Sequence, residues 1–99
     1  AMRTLNFLAN VAVCDILSRL GQYHKVLMML DTLEGPLASW GTTVDIQNPQ
    51  LDVAMVDAGI MRAGALEKTM QPTLAISTAN SARLLAEQIF EKWSVALVP

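Results

Sequence analysis

LNFLANVAVCDILSRL, residues 5–20, is the stretch on which the fold turns. Its apolar positions Leu5, Leu8, Ala9, Ala12, Val13, Ile16, Leu17 and Leu20 recur at i, i+3, i+4 and i+7, the spacing of one helical face. A helix is therefore expected here, with that stripe as the face turned to a core. Phe7, Val11 and Cys14 widen the stripe, which implies contact with more than one neighbouring helix. Gly21 breaks the pattern. A second helix is expected over about Gln22 to Glu34, with Tyr23, Val26, Leu27, Leu30 and Leu33 aligned and Gly35-Pro36 as its stop signal. So short a connection makes the pair an antiparallel helical hairpin.

The second half reads less evenly. Residues 37–48 carry Gly41, two threonines and the alternation of Val44 and Ile46 with Asp45 and Gln47, which favours a loop. Asn48-Pro49 is a helix start, because asparagine caps exposed amides and proline at the first helical position forfeits no hydrogen bond. A third helix is expected from about Pro49 to Met70 on Leu51, Ala54, Met55, Ala58, Met61 and Leu66. Gly59, Ala63, Gly64 and Ala65 leave that helix thin enough for a close neighbour. Pro72 reads as its terminator, and a fourth helix is expected from Ala79 or Asn80. Its stripe is Ala82, Leu85, Ala86, Ile89, Phe90 and Trp93, with Arg83–Glu87 and Gln88–Lys92 four apart on the polar side. The fold class is thus all-α, a compact bundle of about four helices opening with a hairpin. The alternative is an α+β chain with a βαβα second half, in which Thr43–Gln47 and Thr73–Ser77 are strands.

The composition sets the functional frame. The 99 residues are 53% hydrophobic and only 16% charged, against roughly 25% charged in ordinary soluble chains. A single domain of this size leaves much of its surface in water, so excess apolar residues need a partner to cover them. Seven basic and nine acidic residues are scattered without runs. This excludes the concentrated basic face that nucleic acid or an anionic membrane demands. A lone cysteine, Cys14, cannot form an internal disulfide, and a reducing cytoplasm is the expected compartment. Met2-Arg3 and the apolar residues after it have the outline of a signal peptide, but Asn6, Asn10, Asp15 and Arg19 at helical spacing favour a folded helix. Ala1 before Met2 reads as a remnant of tag removal, and Leu97-Val98-Pro99 as the start of a thrombin linker.

Catalytic chemistry finds little to stand on. His24 is the only histidine, and it reads as an exposed helix residue; Cys14 lies among apolar neighbours, where a thiol packs as a small hydrophobe. Two cysteine or histidine side chains fall short of the four that structural zinc takes. Asp45, Asp52 and Asp57 lack the spacing of a calcium loop and read as solvated polar-face residues. The run from Gly59 to Gly64 has the outline of a phosphate loop, yet Ala65 and Leu66 stand where lysine and a hydroxyl are needed. No catalytic, cofactor or metal residue is assigned.

Six methionines remain, of which Met28 and Met29, with Val26, Leu27 and Leu30, make the second helix apolar nearly all round. Flexible thioethers suit adaptable binding surfaces, so these five residues are the candidate interface. The expected function is a non-enzymatic protein–protein interaction domain: a self-associating adaptor, or a small regulatory or chaperone subunit. The competing reading is a small-ligand binder or modest enzyme with a pocket near Tyr23, His24 and Trp40. Leu20-Gly21-Gln22-Tyr23 with Val26, Leu30 and Leu33 also resembles the inter-helix turn and second helix of a tetratricopeptide repeat, a family that binds peptides. The resemblance covers a third of the chain. It departs at Val26, where a small alanine is usual, and no second sequence copy follows, although such repeats stack in about threes.

Overall fold

A computed structural model describes residues 2–40 and 49–97, with side chains over 5–33 and 49–94. Four helices follow one another: α1 (Met2–Arg19), α2 (Tyr23–Trp40), α3 (Pro49–Lys68) and α4 (Pro72–Leu97). Among the described residues there is no strand, and the chain is all-α.

Two hairpins share one turn. At the end of α1 the Gln22 amide donates to the Leu17 carbonyl and the Gly21 amide to the Ser18 carbonyl; at the end of α3 Gln71 donates to Leu66 and Met70 to Glu67. This is the paired hydrogen-bond pattern that satisfies the last carbonyls of a helix when the following residue turns left-handed. That residue is Gly21 at φ 77° in the first hairpin and Met70 at φ 64° in the second. The carbonyls of Gln22 and Gln71 then accept the first bonds of α2 and α4, from Val26 and Ala75. A side chain costs about 1 kcal/mol in the left-handed region, where glycine sits freely. Met70 is almost fully exposed and packs on nothing that would offset this. Met70→Gly should therefore stabilise the chain by about 1 kcal/mol in urea titration; no gain would mean that the turn relaxes without it.

Several sequence expectations change. Pro72 opens α4 rather than closing α3, since the missing amide costs nothing at the first helical position. Residues 73–77 are therefore helical, which removes the second strand of the βαβα alternative; its first strand, residues 43–47, lies outside the described residues. The β-branched Thr73, Ile76 and Thr78 read as strand formers. However, Ala75 is buried against the rest of the fold, while the Ser77 and Ser81 hydroxyls donate to the Leu74 and Ser77 carbonyls one turn back. Nor does α2 stop at Glu34; it runs through Gly35-Pro36 to Trp40. Proline's fixed φ is a helical one, so the helix can continue through Pro36, but at the cost of the amide that would reach the Thr32 carbonyl and of the strain a proline brings to a helix interior.

A further change is the orientation of α1. Its buried residues are Phe7, Val11 and Cys14; of the eight-residue stripe expected to face the core, Leu8 and Leu17 are half-buried and pack against it, while Leu5, Ala9, Ala12, Val13, Ile16 and Leu20 are exposed. Both stripes are apolar, so periodicity alone cannot choose between them. Packing favours the one with more to bury: Phe7 is among the largest fully buried side chains, whereas Ala9 and Ala12 on the other stripe would gain little.

The arrangement is a stack rather than a closed ring. α3 touches α1, α2 and α4, while α4 among the described residues touches α3 alone. The core joins Phe7, Val11 and Cys14 to Val26 and Leu30 of α2 and to Leu51, Ala54, Ala58 and Ala65 of α3. Arg62 of α3 meets Asp31 of α2 at 2.9 Å. On the other side of α3, Gly59 sits so close to α4 that a Cβ there would lie 3.0 Å from that of Ala82, the close approach that the small residues foretold. Gly64 faces open space and has no such role.

The open end of the α3–α4 hairpin is held by a polar clamp. Asp52, read from the sequence as a solvated residue, is buried, and its Oδ2 accepts from Lys92 Nζ at 2.6 Å and from Trp93 Nε1 at 2.7 Å. The Lys92 ammonium also lies 5.0 Å from the Trp93 ring centroid. Lys92 thus reaches across to α3, while Arg83 and Glu87 pair as their spacing implied, at 3.0 Å. Asp52→Ala should cost about 2 kcal/mol, the loss of one charge-assisted bond and one indole partner, discounted because the lysine is half in water. Asp52→Asn, which keeps an acceptor for Trp93, should cost about half of that in the same titration. Equal losses from the two would mean that the indole bond contributes nothing.

Candidate interaction face

With Phe7, Val11 and Cys14 inward, α1 turns the opposite half of its circumference outward. Successive residues are 100° apart, so Leu5, Ala9, Ala12, Val13, Ile16 and Leu20 share that outer half. Leu5 is 62% exposed, Ile16 57% and Leu20 68%. An apolar helix face ordinarily packs inward. Here one faces out, with Asn6 and Arg19 as the polar residues on the same half.

Grooves flank this helix on both sides. Between α1 and α3 runs an open groove of about 870 Å³ whose floor and walls include Leu8, Val11, Ala12, Ala54 and Met61. Val53 and Ile60, both more than half exposed, form its α3 rim together with Asp57. Its α1 rim carries Asp15 and Arg19, paired at 3.3 Å. Between α1 and α2 lies a groove of about 440 Å³ lined by Asn10, Leu17, Lys25, Met28, Met29 and Leu33. Ala12 and Leu17 therefore link the outer stripe of α1 to a groove on either side.

The five residues singled out on α2 separate in space. Met28 points outward at 71% exposure, whereas Met29 is half-buried and packs against the core. Val26 and Leu30 are core residues, and Leu27 is packed against them. The outer stripe of α1 and the α3 rim formed by Val53 and Ile60 were missed as candidate surface. The signal was present in the double stripe of α1, since a helix with two apolar faces cannot bury both against one hairpin partner.

The three residues of the alternative pocket lie along one helix, α2. Tyr23 and His24 are neighbours 100° apart on α2, with Tyr23 packed on the core and His24 exposed. Trp40 ends the same continuous helix 17 residues later, roughly 25 Å away at 1.5 Å per residue. Its side chain lies outside the described residues. Neither groove described above includes Tyr23 or His24 in its lining. Cys14 is fully buried, and burial pushes its thiol pKa up, which makes it a poor nucleophile. Among the described residues no three His, Cys, Asp or Glu side chains converge on a metal position, and no helix is long and apolar enough to cross a membrane.

Comparisons with protein-family models, with curated proteins and with solved structures give no match to this chain. The tetratricopeptide resemblance accordingly stays a description of the α1–α2 hairpin.

Proposed function

We propose that this chain is a protein–protein interaction domain without chemistry of its own, acting as an adaptor or a small regulatory or chaperone subunit. The observation that supports it most is the outward apolar half of α1, continuous with grooves on both sides and extended by Met28. Contiguous apolar surface of this kind marks a site where a partner excludes water. Asn6 stands on the outer half of α1 itself, while Asn10, Lys25, Asp57 and the Asp15–Arg19 pair line the flanking grooves, as the polar rim of an interface does.

In extracts of cells that make it, the chain should travel in a species larger than its own 10.8 kDa. Met28→Lys should leave stability within about 0.5 kcal/mol, because the side chain already stands in solvent and lysine is a good helix former. The same substitution at Val26 should unfold the chain. A 10.8 kDa particle both in extract and when pure would overturn the proposal.

A further inference from the structure

We propose that the outer face of α1 docks on the α3–α4 hairpin of a second copy of this chain, head to tail, in the way that α3 docks on the α1–α2 hairpin within one chain. This rests on the interaction reading above and adds the partner and the geometry of the contact. The two hairpins repeat each other at an offset of 49 residues. All four turn bonds recur at it, from Leu20–Ile16 and Thr69–Ala65 to Val26–Gln22 and Ala75–Gln71, as do the left-handed residues Gly21 and Met70. The helices before the turn end in step, α1 at Arg19 and α3 at Lys68. Gly59 and Ala82, which meet between α3 and α4, correspond to Asn10 and Leu33, which share the groove between α1 and α2. Each residue of α1 thus has a counterpart on α3 that points the same way relative to its own hairpin.

That correspondence turns a contact inside the chain into a template. α3 rests on α1 and α2 through Ala54, Ala58, Met61 and Ala65, all in the core or packed against it. Their counterparts on α1 are Leu5, Ala9, Ala12 and Ile16, every one apolar and exposed. The bare stripe of α1 is therefore the face by which the second hairpin attaches to the first. Asn6, in the place of Met55, is polar, and the counterpart of Leu51 is Met2, whose side chain lies outside the described residues. The receiving surface also has its counterpart. Phe7, Val11 and Cys14 of α1, with Leu27 and Leu30 of α2, line the side on which α3 sits. At the same offset stand Val56, Ile60, Ala63, Ile76 and Ala79, again all apolar, with Ile60 57% and Ile76 65% exposed.

A docking face on one hairpin and a receiving face on the other make a heterologous contact, which passes from copy to copy and does not close at two. The contact between copies is the looser one. The Asp31–Arg62 pair has Asn80 and Val13 as its counterparts, and Ala79 stands where Leu30 fills the core, so association is reversible and concentration-dependent.

In sedimentation the purified full chain should show a mean mass that rises with concentration past twice 10.8 kDa. Ala9→Glu blocks the docking face and Ile60→Glu the receiving one; each should sediment as a single chain with unchanged circular dichroism. Ile76→Glu carries the same expectation as Ile60→Glu and replaces it should that variant fail to fold. Mixing the docking-face variant with the receiving-face variant leaves one intact face of each kind, so the mixture should form a species of two chains and no larger. A pair formed by Ile60→Glu alone would overturn the head-to-tail contact, since it would show α1 faces meeting each other. A mixture that stays single would overturn it as well, and so would a pure wild-type chain that stays single at every concentration. If that single chain still enters a larger species in extract, the interaction reading survives and its partner is a different protein.

Discussion

Phe7→Ala should lower the unfolding free energy by about 4 kcal/mol, while Ile16→Ala, on the same helix, changes it by less than about 0.5 kcal/mol at dilution. Phe7 is 2% exposed at the centre of the contact of α1 with α2 and α3. Truncating it removes a large apolar surface and leaves a cavity that three packed helices cannot close. A chain of about 100 residues has only about 5–15 kcal/mol to lose, so the effect is large. Ile16 is in water in the single chain, and its truncation removes nothing that folding buries. Urea titration at low concentration reads both. Where a partner covers the outer face of α1, Ile16→Ala acquires a cost that grows with the concentration of that partner, because a contact made only in the assembly stabilises by mass action. Similar losses for the two at dilution would show that the Leu5–Ile16 stripe, and not Phe7, faces the core.

This contrast marks where the sequence was legible. Helix type and number followed from periodicity, and the α1–α2 turn from Gly21, because glycine advertises a left-handed residue. The identical turn at Met70 was hidden, since methionine carries no such signal and Pro72 is equally compatible with an end and a beginning. Orientation was less legible than existence. In α1 two stripes were apolar, and the choice between them belongs to the packing of α2 and α3, which lies outside any window of residues 5–20. Asp52 was misread for a related reason: its partners Lys92 and Trp93 are 40 and 41 residues away in sequence. Of the candidate interface, Met28 was found from the sequence, while Leu5, Ile16 and Leu20 were assigned to the core.

Gly59→Leu should cost about 3 kcal/mol and do so by loosening α4. The Cβ alone would stand 3.0 Å from the Ala82 Cβ and 3.7 Å from its Cα, and the remaining carbons of leucine would have to enter the backbone of α4. Neither side can yield cheaply, because the obstacle is a main chain and a methyl with no rotamer to change. The route of escape is set by topology. α4 rests on α3 alone among the described residues, so it can lift away without disturbing the Phe7–Val26–Leu51 core. Leucine is the better helix former by about 0.8 kcal/mol, which works against the loss and makes it a minimum estimate of the clash. Gly64→Leu supplies the control: with nothing within 4 Å of its Cβ, it should gain roughly that propensity difference. Hydrogen exchange separates a local from a global effect. In Gly59→Leu the amides of residues 75–94 should lose protection while those of α1 and α2 keep theirs, as expected of a helix that opens on its own. Uniform loss of protection would mean that α4 and the three-helix core unfold as one unit, and a cost no larger than that of Gly64→Leu would mean that the α3–α4 contact is not tight at Gly59.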